Sequence, residues 1–218
     1  MPLCCPRNTL PPKTDGNRMT LTAERDPESL SLVARRAMID SQLRPSGVNE
    51  PWVLAAMMQV AREDFVPESA RAAAYIDRAV PLANGRALAA PLVHGRMLGE
   101  AAPTPGDKAL LVGDDGYLAA LLRPLVGSLD VLDPADVGGA RAKGPYSLIV
   151  IDGAAEELPA SIAKRLADDG RLVTGLAERG VTRLATGRKA GKGMALLPLA
   201  DIGMPAIPEM AAPKRWSF

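Results

Sequence analysis

A chain of 218 residues is long enough to bury a hydrophobic core as one domain, with or without tails. Apolar residues make up 47% of it, which excludes wholesale disorder, and an aromatic content of 3% predicts a core built from Ala, Leu, Val and Met. Because 26 basic residues nearly balance 25 acidic ones, bulk charge gives no basis for binding nucleic acid or an anionic membrane.

The N-terminal stretch shows no pattern typical of a fold. Residues 1–26 are rich in Pro, Thr, Asn and charge, so we interpret them as a disordered lead-in, with Met19 as an alternative start to Met1. The adjacent Cys4 and Cys5 are poorly placed to bridge each other and have no second cluster with which to form a metal site. Without a signal peptide or a membrane-spanning apolar run, the chain is predicted to be cytoplasmic.

Helical patterns fill residues 27–102, which are predicted to form an N-terminal helical subdomain. The first helix follows Asp26-Pro27, where a capping residue precedes a proline at the first helical position. A second helix opens around Asn49 and Pro51, and a third is predicted from Pro67 to Tyr75.

Strands alternate with helices in residues 103–200, which predicts an α/β core with a mostly parallel sheet whose ligands bind at the carboxyl ends of the strands. The predicted strands are Lys108–Val112, Leu129–Leu132, Tyr146–Ile151 and Arg171–Leu176, and the predicted helices are Tyr117–Arg123 and Pro159–Ala167. An antiparallel C-terminal hairpin of Val181–Thr186 and Met194–Leu199 is expected to follow. The tail, residues 201–218, is expected to dock through Ile207, Trp216 and Phe218.

The turn between the first strand and its helix, Gly113-Asp114-Asp115-Gly116, is a candidate cofactor site. Glycines in such a turn let backbone N–H groups approach a nucleotide-like cofactor, and Gly113, Asp115 and Gly116 are the predicted contacts. The alternative is an ordinary strand–helix turn in which Asp115 caps the helix.

Two further carboxylates end predicted strands. Asp133 follows the second strand, where an acidic residue accepts hydrogen bonds from ribose hydroxyls, although Asp-Pro also forms ordinary turns. Asp152 closes the strand Tyr146–Ile151 and is predicted to contact cofactor or substrate, or to cap the next segment. His94 is the only histidine, and a lone histidine is more often structural than catalytic.

Several segments within residues 36–97 resemble the protein-L-isoaspartate O-methyltransferase family, whose members use S-adenosylmethionine to repair damaged aspartyl sites. The matching segments are Met38–Arg44, Val53–Met57, Arg62–Pro67, Ala74–Pro81, Asn84-Gly85 and Pro91–Met97. Looser matches are Pro105–Asp107, the Gly113–Gly116 turn, Pro145–Val150, Asp169–Val173 and the tail ending in Trp216-Ser-Phe218.

The resemblance implies a Rossmann-like class I S-adenosylmethionine-dependent methyltransferase fold, with a seven-stranded sheet and a helical subdomain over the cofactor edge. It implies that an isoaspartyl carboxylate of a damaged protein attacks the methyl group of the cofactor. It also implies that the segment containing Pro91 and His94 contacts the substrate.

Three departures from the family pattern stand out. Ala89 occupies the position of a serine whose hydroxyl binds the substrate carboxylate, so no catalytic residue is assigned. The turn Gly113–Gly116 is one residue shorter than in the family and adds two acidic side chains. Only about a dozen residues join Asp133 to Tyr146, which predicts a sheet shortened around strand 3.

Together these departures predict weakened cofactor binding or none. Two hypotheses therefore stay open at this point. The chain is a protein carboxyl methyltransferase, or it is a non-catalytic relative that keeps the fold as a binding or assembly module.

Overall fold

A computed structural model of the chain describes residues 27–82, 85–139, 144–191 and 193–213. The predicted lead-in, with both cysteines and Met19, lies outside these residues, as do Trp216 and Phe218 of the tail. Within the described ranges, no helix combines the length and apolar character needed to cross a membrane.

Helices and single turns dominate the chain before residue 103. They are α1 (Pro27–Met38), a π-helical turn (Ile39–Leu43), α2 (Pro51–Gln59), two 3-10 turns (Arg62–Phe65 and Glu68–Ala73) and α3 (Pro91–Ala101), with a two-stranded ribbon of β1 (Val80–Pro81) and β2 (Ala87–Leu88) before α3. The helix predicted from Pro67 to Tyr75 is wrong in type and length. Tyr75 leaves it because its carbonyl accepts a hydrogen bond from Gln42 at 2.8 Å and its hydroxyl bonds Glu63.

The core is a six-stranded sheet in the order β4-β3-β5-β6-β7-β8. Its strands are β3 (Lys108–Val112), β4 (Ser128–Leu132), β5 (Tyr146–Ala155), β6 (Leu166–Glu178), β7 (Val181–Ala190) and β8 (Gly193–Asp201). Strands β4, β3, β5 and β6 are parallel, and β6, β7 and β8 form an antiparallel meander. The prediction of a mostly parallel sheet with an antiparallel C-terminal hairpin is confirmed.

Burial on both faces explains why the central strands are continuous apolar runs rather than alternating ones. Leu111 and Val150 pack with α3 and α4 (Tyr117–Leu122) on one face. Leu110 and Ile149 pack on the other face with Ile162 of α5 (Ala160–Arg165). The result is a three-layer sandwich with β3 and β5 at its centre.

The sheet has fewer strands than the seven that the family resemblance implies. Between β4 and β5, the described residues form a 3-10 turn at Pro134–Asp136 and no further strand, so β4 is the edge strand of the described sheet. The predicted shortening around strand 3 is therefore confirmed for this part of the chain.

β5 extends beyond the predicted end at Ile151, because Ala154 and Ala155 pair with β6 and Ala154 also bonds the tail. The Ala154 N–H donates to the carbonyl of Pro205 at 2.8 Å, and the Ile207 N–H donates to the carbonyl of Ala154 at 2.9 Å. Ile207 is buried, as predicted for a docked tail. These bonds bring residues 205–209 to the carboxyl ends of β3 and β5, where they form one wall of a cavity.

Candidate active site

A cavity of about 190 Å³ lies at the carboxyl ends of β3 and β5. Its floor is the turn after β3 together with Asp152 of β5. Its walls are Phe65, the segment Arg86–Leu88 and the tail residues 205–209. This is the edge at which open α/β sheets bind ligands, and where the strand-end carboxylates predicted a site.

The glycine turn approaches Asp152 closely. A Cβ atom added to Gly113 would lie 3.0 Å from the Cβ of Asp152, so only glycine lets the turn after β3 pack against the end of β5. Gly116 lines the cavity and precedes α4 as its N-cap. The predicted contacts Gly113 and Gly116 therefore border the cavity.

The two aspartates of this turn point in different directions. Asp114 lines the cavity, whereas Asp115 is exposed and pairs with Arg123 at 2.6 Å. The structure thus does not bring Asp115 to the cavity, because Arg123, eight residues further along the chain, holds its carboxylate at the surface. The alternative role is not seen either, since Gly116 caps α4 without a side-chain hydrogen bond.

Asp133 follows β4 at the rim of the same site. Both of its carboxylate oxygens accept hydrogen bonds from Arg86 Nη2, at 2.8 and 2.9 Å, and one also accepts from the Ala135 N–H at 2.9 Å. The hydrogen bond from Arg86 holds the pKa of Asp133 below its usual range. Asp133 is therefore an ionised acceptor that also caps the turn Pro134–Asp136.

Arg86 is the central cation of this rim, and the sequence reading did not single it out. Its guanidinium donates to Asp114, to Asp133, and to Glu209 of the tail at 3.2 Å. The hydrogen bond to Asp133 is the largest contribution to the raised pKa of Arg86. Arg86 thus ties the turn after β3, the end of β4 and the tail together.

His94 lies beneath the cavity in a buried chain of polar groups. Arg62 Nη1 is 3.1 Å from His94 Nδ1, and His94 Nε2 is 3.2 Å from Asp152 Oδ1. Because a guanidinium can only donate, Nδ1 must be the acceptor, and Nε2 then carries the proton that it donates to Asp152. His94 thereby orients the carboxylate of Asp152, which lines the cavity.

The structure separates the remaining predicted site residues from the cavity. His94 and Pro91 are buried in α3 and are not among the residues lining it. Ala89 is 1% exposed, and its carbonyl accepts a hydrogen bond from Arg62. The segment that the resemblance assigns to the substrate therefore borders the cavity through Arg86–Leu88 rather than through Pro91 or His94.

Tyr117 connects this polar chain to the cavity wall. Its ring lies 5.0 Å from the guanidinium carbon of Arg62 and 5.3 Å from the ring of His94, centroid to centroid. Burial raises the pKa of the Tyr117 hydroxyl. In the described part of the chain, this buried hydroxyl has no hydrogen-bond partner.

Comparison with known proteins gives one consistent family. Residues 34–132 match the family model of protein-L-isoaspartate(D-aspartate) O-methyltransferase. Protein-L-isoaspartate O-methyltransferase 2 of Anaeromyxobacter sp. (strain Fw109-5) is 33% identical over 165 residues, which cover 64% of this chain and 68% of the relative. Protein-L-isoaspartate O-methyltransferase of Aeropyrum pernix is 34% identical over 194 residues, covering 75% of this chain and 74% of the relative.

Solved structures agree in fold. A protein-L-isoaspartate O-methyltransferase from Plasmodium falciparum, in complex with S-adenosyl-L-homocysteine, superposes with a TM-score of 0.65 at 19% identity and covers 82% of this chain and 98% of its own. Together with the identity and coverage of the curated relatives, this agreement confirms the Rossmann-like methyltransferase fold. The chain therefore belongs to the protein-L-isoaspartate O-methyltransferase family.

Proposed function

We propose that this chain is a protein-L-isoaspartate O-methyltransferase, which transfers a methyl group from S-adenosylmethionine to an isoaspartyl carboxylate in damaged proteins. The observation that carries the proposal is the cavity at the carboxyl ends of β3 and β5, formed by the glycine turn and Asp152 in a chain of this family. A location in the cytoplasm remains a prediction from the sequence.

The residues around the cavity fit this cofactor in charge and in shape. The cavity is lined by the carboxylates of Asp114, Asp152 and Glu209 against the single guanidinium of Arg86, an excess of negative charge that suits a sulfonium cation. Gly113 has no side chain, so the turn after β3 packs directly against Asp152 at the floor of the cavity.

Asp133 would hold the ribose, because its carboxylate stands at the end of β4 beside the cavity. Both of its oxygens accept hydrogen bonds from Arg86, so ribose hydroxyls would compete with the Arg86 N–H groups for Asp133. Asp114 and Glu209 already contact the same guanidinium and can keep its charge paired. The site fits the cofactor with this one exchange of hydrogen bonds.

The reaction demands little acid–base chemistry from the chain. When bound, S-adenosylmethionine supplies an electrophilic methyl group, and the substrate carboxylate is already a nucleophile. The chain therefore has to align the carboxylate with the methyl group and exclude water. Phe65, Leu88 and Ile207 provide apolar walls for that purpose.

The non-catalytic hypothesis receives no support from these findings. It depends on three departures, which are Ala89, the Gly113–Gly116 turn and the short connection after Asp133. The described residues near these positions still form a cavity bordered by charged groups. The relatives that match most of the chain carry methyltransferase names.

Calorimetric titration with S-adenosylmethionine tests the cofactor site, with Asp133→Asn as the variant. Replacing the carboxylate by an amide removes a charged acceptor, and we expect affinity to fall roughly tenfold or more. Asp201→Asn is the matched control, because Asp201 pairs with Arg183 on the β7–β8 hairpin away from the cavity. If the unaltered protein gives no heat of binding at millimolar S-adenosylmethionine, the proposal is refuted.

A further inference from the structure

The charge of the cavity poses a problem for a carboxylate substrate. Among the described residues that line it, three are acidic (Asp114, Asp152 and Glu209) and one, Arg86, is cationic. A carboxylate entering this cavity meets repulsion from the three acids, so it needs a strong donor close to the reacting centre.

Ala89 cannot supply that donor. It carries a methyl group at the position where the family resemblance implies a serine hydroxyl, it is 1% exposed, and it does not line the cavity. The neighbours that do line the cavity, Ala87 and Leu88, have no polar side-chain atoms. The same segment nevertheless places one residue with donors at the cavity, which is Arg86.

Arg86 has N–H donors that its described contacts do not use. A guanidinium has five N–H groups in a planar fork that matches a carboxylate. The described contacts of Arg86 use Nη1 for Asp114 and Nη2 for Asp133 and Glu209, and none of them uses Nε. The side chain is 19% exposed, so part of it is open to a ligand.

We infer that Arg86 binds the carboxylate of the isoaspartyl substrate, and so replaces the hydroxyl that Ala89 lacks. The inference rests on the proposed function and deepens it by naming the residue that selects a carboxylate. The contact between Arg86 and Asp133 predicts that the cofactor binds before the substrate. When ribose hydroxyls take the oxygens of Asp133, Nη2 of Arg86 loses two of its hydrogen bonds and becomes available to the substrate.

A structural role for Arg86 is the rival explanation. Because Arg86 contacts Glu209, it also fastens the tail that forms one cavity wall. In that case its removal would loosen the wall and weaken every ligand. Glu209→Gln separates the two explanations, since it removes the contact with the tail and keeps the arginine.

The experiment measures two affinities by calorimetry, that for S-adenosylhomocysteine and that for an isoaspartyl peptide in saturating S-adenosylhomocysteine. For Arg86→Gln we expect peptide affinity to fall roughly ten- to a hundredfold, the range of a lost charged hydrogen bond, while S-adenosylhomocysteine affinity holds or improves. Arg183→Gln is the control, since Arg183 also pairs with two carboxylates but lies on β7. We expect Arg183→Gln to keep peptide affinity within about twofold. Glu209→Gln removes one acid that repels the peptide carboxylate and one partner of Arg86, so we expect peptide affinity to hold or rise.

Three results would overturn the inference. They are unchanged peptide affinity in Arg86→Gln, an equal loss of both ligands in that variant, and an equal loss of peptide in Glu209→Gln. If Arg86→Gln does not fold, Arg86→Lys keeps the charge without the fork, and an unchanged peptide affinity there would overturn it as well. An unaltered protein that binds no S-adenosylhomocysteine instead refutes the proposed function, and the inference falls with it.

Discussion

Asp107 provides the sharpest test of how the sheet is anchored. It lies just before β3, at the end opposite the cavity, and is 5% exposed. Its carboxylate accepts hydrogen bonds from Arg171 Nη1 and Nη2 at 3.0 and 2.7 Å, from Ser147 at 2.7 Å, and from the N–H and hydroxyl of Thr104 at 2.7 and 2.9 Å. These bonds join β3, β5 and β6 at one carboxylate.

Asp107→Asn removes the charge and one of the two acceptor oxygens. Breaking a fully buried ion pair costs about 3–5 kcal/mol, but Arg171 is a quarter exposed and can regain water, so we expect a loss of about 2–3 kcal/mol in the free energy of unfolding. For a domain of this size, that corresponds to a fall of roughly 5–10 °C in the unfolding midpoint. Circular dichroism melts at pH 7 measure it.

The loss of stability in Asp107→Asn should depend on pH. Burial acts to raise the pKa of Asp107, but the hydrogen bonds from Arg171, Ser147 and Thr104 outweigh it and hold that pKa well below its usual range. A depressed carboxyl pKa stabilises the fold above the unfolded value, about 4, and this stabilisation is lost as the pH falls toward the folded value. The difference in midpoint between unaltered protein and variant should therefore shrink below about pH 4.

Asp168→Asn is the control for both measurements. Asp168 also pairs with a cation, Lys189, but its side chain is 95% exposed, so water replaces the lost partner. We expect its midpoint to stay within about 1 °C of the unaltered protein. If the midpoint of Asp107→Asn falls as little as that of the control, or by an amount independent of pH, the Asp107 carboxylate does not anchor the sheet.

Two further predictions concern the cavity. In His94→Leu, the buried Arg62 loses an acceptor and Asp152 loses its donor. We therefore expect a loss of about 2–3 kcal/mol in unfolding free energy and slower methyl transfer. A variant as stable as the unaltered protein would show that these buried hydrogen bonds do not stabilise the fold. In Gly153→Ala, the new Cβ would lie 2.6 Å from Ile207 Cγ1, at a residue whose φ is 147°. We therefore expect the tail to detach from β5 and cofactor affinity to fall. Gly203→Ala is the control because open space surrounds that position, and equal cofactor affinities in the two variants would contradict the role of the tail.

Local patterns were sufficient to predict the elements that position the site. The apolar runs at β3 and β5 and the residues that follow them place Gly113 and Asp152 at one edge of the sheet, because parallel strands end on the same side. The short connection after Asp133 likewise predicts a missing strand, because too few residues are available to form it. Each of these predictions depends on the number of residues in a segment and on the order of its apolar residues, both of which can be read from the sequence.

The contacts of the site could not be predicted in this way. Arg86 meets Asp114, Asp133 and Glu209 across 28, 47 and 123 residues, and no local pattern encodes such a meeting. Which of Asp114 and Asp115 lines the cavity depends on the direction of their side chains, and Asp115 points away because it pairs with Arg123. The one signal in the sequence is the position of Arg86 next to the segment that resembles the family's substrate site.

Transfer of a labelled methyl group from S-adenosylmethionine to a peptide shows whether this chain methylates isoaspartyl carboxylates. Two peptides of the same sequence are compared, one with an isoaspartyl residue and one with an ordinary aspartyl residue. We expect base-labile methyl ester on the isoaspartyl peptide, well above the level on the aspartyl peptide. Cofactor binding without transfer to either peptide, or equal transfer to both, would contradict this expectation.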